Sequence, residues 1–326
     1  MKDAEGALVG ERYRLDQPIG HSRAGIVWLA FDTMLHRTVA AKRACLDPGR
    51  QPDEARTAAL AEAHRAMRVV HPSAVSVYDA LVEDEDVWLV MEYVPSRTMA
   101  DFLAEHGTLT PEQAGYLGAA LGAALASAHG AGVVHGSVEP GNVLLADDGG
   151  VKLTDIGLRG GTPDPAYVAP EVKRGVTPTV QSDAYSLGAT LFRAVEGSPP
   201  FGDEGDDDPV VPSHGGQLTG ALEKLLRAEP DLRPTLGDTV TALRAVSRGR
   251  QTGFVPPTAP AMPTVPVLPR PPRVAPAGAT GMSPGTGAGA APAPASTPAP
   301  SARTLLLWAL AAVAVVLIVV VLVLAL

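Results

Sequence analysis

The rhythm of apolar and polar positions changes once along this chain, near Val94. Before that point short β-branched runs are separated by polar stretches: Gly25-Ile26-Val27-Trp28-Leu29, Thr38-Val39-Ala40-Ala41-Lys42 and Val87-Trp88-Leu89-Val90-Met91-Glu92-Tyr93. Such runs predict strands. One helix interrupts them, from about Asp53 to Arg68. Beyond Val94 the pattern is mainly helical. Thr110-Pro111-Glu112-Gln113 offers an N-cap threonine, a proline at the first helical position and a glutamine three residues past the cap, which together predict a helix running to about His129. Glycines at 115, 118 and 122 suit close packing on that helix. A second long helix is predicted after Ser182-Asp183, ending near Glu196. The pattern predicts an α+β fold over residues 12–249, with a strand-rich lobe over about 12–93 and a mainly helical lobe over about 94–249.

Composition then divides the remainder. Residues 250–303 turn to Pro, Ala, Gly and Thr, with few side chains able to build a core, and are expected to be a disordered linker. As a flexible coil, some fifty residues span about 40 Å end to end. Within it, Pro269-Arg270-Pro271-Pro272-Arg273 reads as a spacer with a little basic charge, and Thr258, Thr264 and Thr280 are accessible to phosphorylation. From Thr304 to Leu326 there is no charge, and a helix of that length, roughly 34 Å at 1.5 Å per residue, crosses a hydrocarbon core of about 30 Å. Arg303 directly before it and Trp308 near the same end fit a single-pass membrane helix with the globular part in the cytoplasm, anchored by its tail. The first fifteen residues carry no secretory signal.

The net charge of -9 excludes a general nucleic-acid binder, which needs clustered Lys and Arg. A single cysteine, Cys45, excludes an internal disulfide, and no Cys/His cluster points to zinc.

The chemistry lies in a series of short motifs. Gly20-His21-Ser22-Arg23-Ala24-Gly25-Ile26-Val27 is glycine-rich between two predicted strands. Val39-Ala40-Ala41-Lys42, Glu62 nine residues before His71-Pro72, Met91-Glu92-Tyr93-Val94, Asn142, Asp155-Ile156-Gly157, Ala169-Pro170-Glu171, Asp183 and Arg233 follow in order. In that order and spacing the chain resembles the bacterial eukaryotic-like Ser/Thr protein kinases of the actinobacterial type, across the whole globular region. The resemblance implies the two-lobed protein-kinase fold and a Mg-ATP site. Gly20, Ser22 and Gly25 would cover the phosphates, with Ser22 in place of the middle glycine. Lys42 would contact phosphates and pair with Glu62, for which Glu54 is the competing position. Backbone groups of Glu92 and Val94 would bond the adenine edge, between Val27 and Ala40 on one face and Leu144 on the other. Asn142 and Asp155 would hold magnesium through oxygen donors. Glu171 and Arg233 would form a buried pair, and Asp183 would brace the catalytic loop.

The family's catalytic loop reads His-Arg-Asp-x-Lys-Pro-x-Asn, whereas this chain has His135-Gly136-Ser137-Val138-Glu139-Pro140-Gly141-Asn142. Ser137 stands at the catalytic aspartate, and a hydroxyl is no base near neutral pH. Glu139 stands at the lysine that faces the transferring phosphate, exchanging attraction for repulsion. Gly136 replaces the arginine that grips a phosphorylated activation segment. That segment is short, with Pro163, Pro165 and Pro170 stiffening it and Thr162 as its one threonine. An acidic run, Asp203 to Asp208, stands where the family has a docking helix. The resemblance thus implies a membrane-tethered pseudokinase that binds Mg-ATP and signals through protein partners. An active, divergent Ser/Thr kinase using Glu139 or another carboxylate as base is the alternative, and a nucleotide-independent scaffold a second.

Overall fold

The computed structural model describes residues 5–22, 25–158, 162–200 and 212–247. The predicted linker, the predicted membrane segment and the acidic run lie outside the described residues. Among the described residues, no helix is long and apolar enough to cross a membrane.

The first lobe is an antiparallel sheet. Its strands are β1 (Leu8–Val9), β2 (Tyr13–Ser22), β3 (Gly25–Asp32), β4 (Arg37–Arg43), β5 (Val77–Glu83) and β6 (Asp86–Glu92), in the order β1-β2-β3-β4-β6-β5. The glycine-rich motif is the β2–β3 hairpin, with Gly20 opposite Val27 and Ser22 opposite Gly25. β4 and β6 are central, and both are nearly unbroken in burial, which is why their sequences read as continuous apolar runs. Helix α1 (Pro52–Ala66) crosses this sheet and buries only alanines: Ala55, Ala59, Ala63 and Ala66.

The second lobe begins with β7 (Ser96–Thr98), α2 (Met99–His106) and α3 (Pro111–Gly130). The predicted capping box of α3 is present, with Thr110 and Gln113 bonding reciprocally. β8 (Val143–Ala146) and β9 (Val151–Leu153) complete a three-stranded sheet with β7. Then come α4 (Pro170–Lys173), α5 (Val180–Glu196), α6 (Thr219–Leu225) and α7 (Leu236–Val246). α5 starts before the predicted Ser182-Asp183, because Thr179 is the N-cap and Ser182 is its reciprocal partner inside the first turn. The glycines of α3 do admit a neighbour: a Cβ on Gly118 would lie 2.6 Å from Leu191 Cδ1 and 2.9 Å from Leu243 Cδ1, so α5 and α7 pack directly on its backbone.

Two buried ion pairs hold the lobes' outer parts in shape. Glu171 of α4 receives two hydrogen bonds from the Arg233 guanidinium, at 2.6 and 2.8 Å, as expected from the sequence. In the first lobe Asp32, fully buried at the end of β3, accepts from Arg12 Nε (2.8 Å) and Nη2 (2.7 Å) and from the Met34 and Leu35 amides. The Arg12 hydrogen bonds pull the carboxyl down, burial opposes them, the two amides add to them, and the result is a pKa of about 2. A depressed carboxyl contributes stability that is present above its unfolded pKa and lost as pH falls through the folded value. We expect Asp32→Asn to destabilise the protein by about 2 kcal/mol at pH 7, with the difference from wild type shrinking between about pH 4 and pH 2, as read by urea unfolding at several pH values.

A candidate nucleotide cleft between the lobes

The catalytic-loop segment is positioned by Asp183 in the first turn of α5. Its carboxylate is fully buried and accepts from the His135 amide (2.8 Å), the Gly136 amide (2.8 Å) and His129 Nε2 (2.7 Å). Gly136 sits at φ +78°, a conformation a side chain adopts only with strain, so glycine relaxes this turn. The His135 imidazole is buried, which pushes its pKa down and keeps it neutral. Its Nε2 donates to the Thr154 carbonyl (3.0 Å) and its Nδ1 accepts from the Ser137 amide (3.2 Å). The loop is thus tied by four hydrogen bonds over the three residues His135 to Ser137.

A cavity of about 890 Å³ opens between the lobes. Of the residues named from the sequence, Gly20, Ser22, Val27, Ala40, Lys42, Glu62, Glu92, Val94, Leu144, Asn142, Asp155, Ser137 and Glu139 all line it. Gly25 is not among the lining residues; it is exposed in the hairpin, where Ser22 Oγ donates to its carbonyl (3.2 Å). Glu54 is exposed in the first turn of α1 and lies outside the cavity, whereas Glu62 lines it.

At the cavity's centre Lys42 Nζ lies 2.5 and 2.6 Å from the two oxygens of Asp155. Burial pushes the Asp155 carboxyl up, and the Lys42 ammonium more than reverses this, leaving it below the ordinary range. Asp155 itself has φ +63°, and the following Gly157 has φ +73°. A Cβ at Gly157 would fall 2.4 Å from Val133 Cγ1, so the turn that presents Asp155 requires glycine there. Ile156 faces the other way, into the core of the second lobe.

At the hinge the Glu92 side chain is turned to Lys152 of β9 (2.8 Å), and its amide donates to the Ser76 carbonyl (2.9 Å). The Val94 carbonyl accepts from Ser96 Oγ (2.8 Å). A carbonyl at Glu92 and an amide at Val94 would be complementary to a donor–acceptor edge.

The opposite end carries the unusual residues. Asn142 Nδ2 donates to the Ser137 carbonyl (2.8 Å), which turns the amide oxygen away from Ser137 and makes it the group offered to a cation. Ser137 Oγ donates to Glu139 Oε2 (3.4 Å). The same Glu139 oxygen accepts from the Asp164 amide (3.3 Å), in the short activation segment. Asp164 in turn caps Ala166 (2.9 Å), opening a 3-10 turn over Pro165–Tyr167. Sequence reading missed Asp164, Lys152 and His129, because each meets its partner across a long stretch of chain and has no local pattern to mark it.

A strand-rich lobe hinged to a helical lobe, with a lysine–aspartate pair and an asparagine in the cleft, defines the protein-kinase fold. Residues 13–241 match the protein kinase domain, and the chain belongs to that family. Similar curated proteins are the serine/threonine-protein kinase PkaA of Streptomyces coelicolor, 34% identical over 74% of this chain and 51% of its own length, and a probable serine/threonine-protein kinase PknB of Corynebacterium glutamicum, 31% identical over 63% and 36%. The chain spans about half or less of the length of these relatives. Among solved structures, the kinase domain of Mycobacterium tuberculosis PknI is similar, with a TM-score of 0.65 and 26% identity, over 76% of this chain and all of that one.

Asp183 satisfies two amides and the partly buried His129 imidazole, so removing it strands all three. Asp183→Ala should lower stability by about 3 kcal/mol, with faster amide hydrogen exchange at His135 and Gly136 than elsewhere in the lobe. Unchanged exchange at those two amides would show that the loop is held by other contacts.

Proposed function

We propose that this protein is a membrane-tethered pseudokinase: it binds Mg-ATP in the interlobe cleft and acts in signalling through protein partners, with little transfer of phosphate to them. One observation carries the reading. The Glu139 carboxylate, within hydrogen-bond reach of the residue at the catalytic-aspartate position, is engaged by Ser137 Oγ and by the Asp164 amide. An incoming substrate hydroxyl therefore competes with both groups for that carboxylate.

The donor set suits the nucleotide and its cation. Asp155 and the Asn142 amide supply oxygen ligands of the kind magnesium takes, and Lys42 supplies the positive charge for phosphates. When bound, Mg-ATP supplies the polarised phosphoryl group of the family's chemistry. Lys42 and Asp155 hold each other until then, so Lys42 must exchange one carboxylate for phosphate oxygens. Glu92 and Val94 would orient the adenine through their backbone, with Val27, Ala40 and Leu144 around the ring. Gly20 and Ser22 would cover the phosphates from the hairpin, and Glu62 would steady Lys42.

The tether rests on sequence alone. Residues 250–303 would be the linker and 304–326 a single helix in the cell membrane, uncharged and preceded by Arg303, with the kinase-like region of 12–249 in the cytoplasm.

A second reading is an active Ser/Thr kinase, and the likeness to proteins named as kinases favours it over the first. The same Glu139 carboxylate lines the cleft and would have to release Ser137 to act as base. Transfer depends mainly on positioning and electrostatics, which leaves this route open.

Mg-ATP at a hundredfold excess over its dissociation constant should stabilise the wild type by about 2.7 kcal/mol, raising the thermal midpoint, and Lys42→Ala and Asp155→Ala should each abolish the rise. No midpoint shift would leave the nucleotide-independent scaffold. In the same samples labelled ATP should leave added protein substrates unlabelled; robust, Lys42-dependent labelling of them would establish the second reading.

A further inference from the structure

Ser137 is not only a missing carboxylate. Its hydroxyl lines the nucleotide cleft together with Asn142 and Asp155. It is fixed by its own loop: the Ser137 amide donates to His135 Nδ1 and the Ser137 carbonyl accepts from Asn142. Asn142 Nδ2 also reaches the hydroxyl oxygen, at 3.5 Å, and the hydroxyl proton points to Glu139 Oε2, at 3.4 Å. A hydroxyl held in a phosphate-binding cleft, with a carboxylate set to take its proton, is the arrangement of an activated acceptor.

We propose that Ser137 is a self-phosphorylation site, taking the γ-phosphoryl group of the ATP bound to the same chain. This rests on the nucleotide-binding reading above. Glu139 Oε2 removes the proton from Ser137 Oγ. The bond from oxygen to the γ-phosphorus forms as the bond from that phosphorus to the β,γ-bridging oxygen breaks, and ADP leaves. The products are phosphoserine at 137, ADP and a proton on Glu139 that passes to solvent. Lys42, Asn142 and Asp155 hold charge and position, as they would for any phosphoryl transfer.

Three features of the site agree with this. The proton acceptor is already bonded to Ser137 and not to an open position, so the chain's own hydroxyl is preferred over a partner's. The activation segment bonds the same Glu139 oxygen through the Asp164 amide, which holds that carboxylate in place beside Ser137. The product restores an anionic group at the position where the family has aspartate, close to Asn142 and Asp155. It also makes the reaction a single turnover per chain, ending in a phosphorylated, ADP-releasing state distinct from the starting one.

The test is to incubate the full chain with Mg-ATP and follow its intact mass, then map the modification. We expect one added phosphoryl group, at Ser137, formed at a rate independent of protein concentration as an intramolecular step requires. Ser137→Ala should abolish it. Glu139→Gln, which keeps shape and removes the proton acceptor, should slow it about a hundredfold. Ser137→Thr, which keeps the hydroxyl, should retain modification at position 137 and guards against loss of fold in the alanine variant. An ATP-dependent midpoint shift with position 137 unmodified, or with phosphate only elsewhere, overturns the proposal alone. No midpoint shift at all overturns the nucleotide reading and this proposal with it.

Discussion

The cleft depends on one buried carboxylate, Asp183, at the start of α5. Its two oxygens collect His129 and the amides of His135 and Gly136, and so fix a loop with no regular structure of its own. From that anchor the chain order follows. His135 reaches the Thr154 carbonyl just before Asp155, Asn142 folds back on Ser137, and Glu139 meets the activation segment at Asp164. A buried charge with unsatisfied neighbours is costly, so this geometry persists only while the whole set of partners is present. It was kept although the residues it presents have changed.

What those residues present is the protein's peculiarity. The groups for holding a nucleotide, Lys42, Asp155 and Asn142, converge in the cleft with good partners. In the reading proposed above, the groups for moving a phosphoryl onto another protein do not. Ser137 and Glu139 satisfy each other, and Glu139 also binds the activation segment through an amide. In the related sequence pattern the lysine at position 139 would favour the transferring phosphate. Here the carboxylate takes a structural role instead, and the short activation segment with Pro163, Pro165 and Pro170 gains a fixed attachment that needs no phosphorylation.

Much of this was legible in the chain because the relevant signals are local. β6 is buried along nearly its whole length, so Val87 to Met91 reads as a strand, and Thr110 with Gln113 announces the start of α3. The site residues were legible through their motif order, which is a property of the family and not of their spacing alone. What was not legible is pairwise and distant. Lys42 meets Asp155 across 113 positions and Glu139 meets Asp164 across 25, and no periodicity encodes such contacts. The start of α5 was misplaced for a local reason: Ser182 is a cap partner and looks like a cap. Gly25 belongs to the hairpin motif but stands outside the cavity lining, although its cross-strand partner Ser22 lines it.

We propose that the paired change at 137 and 139, and nothing in the nucleotide-holding set, prevents transfer to other proteins. The direct measurement is phosphorylation of an added protein substrate by the wild type and by the double variant Ser137→Asp, Glu139→Lys, under the same Mg-ATP concentration. The account predicts Lys42-dependent transfer by the double variant and none above background by the wild type. Wild-type transfer as fast as that of the double variant would contradict it.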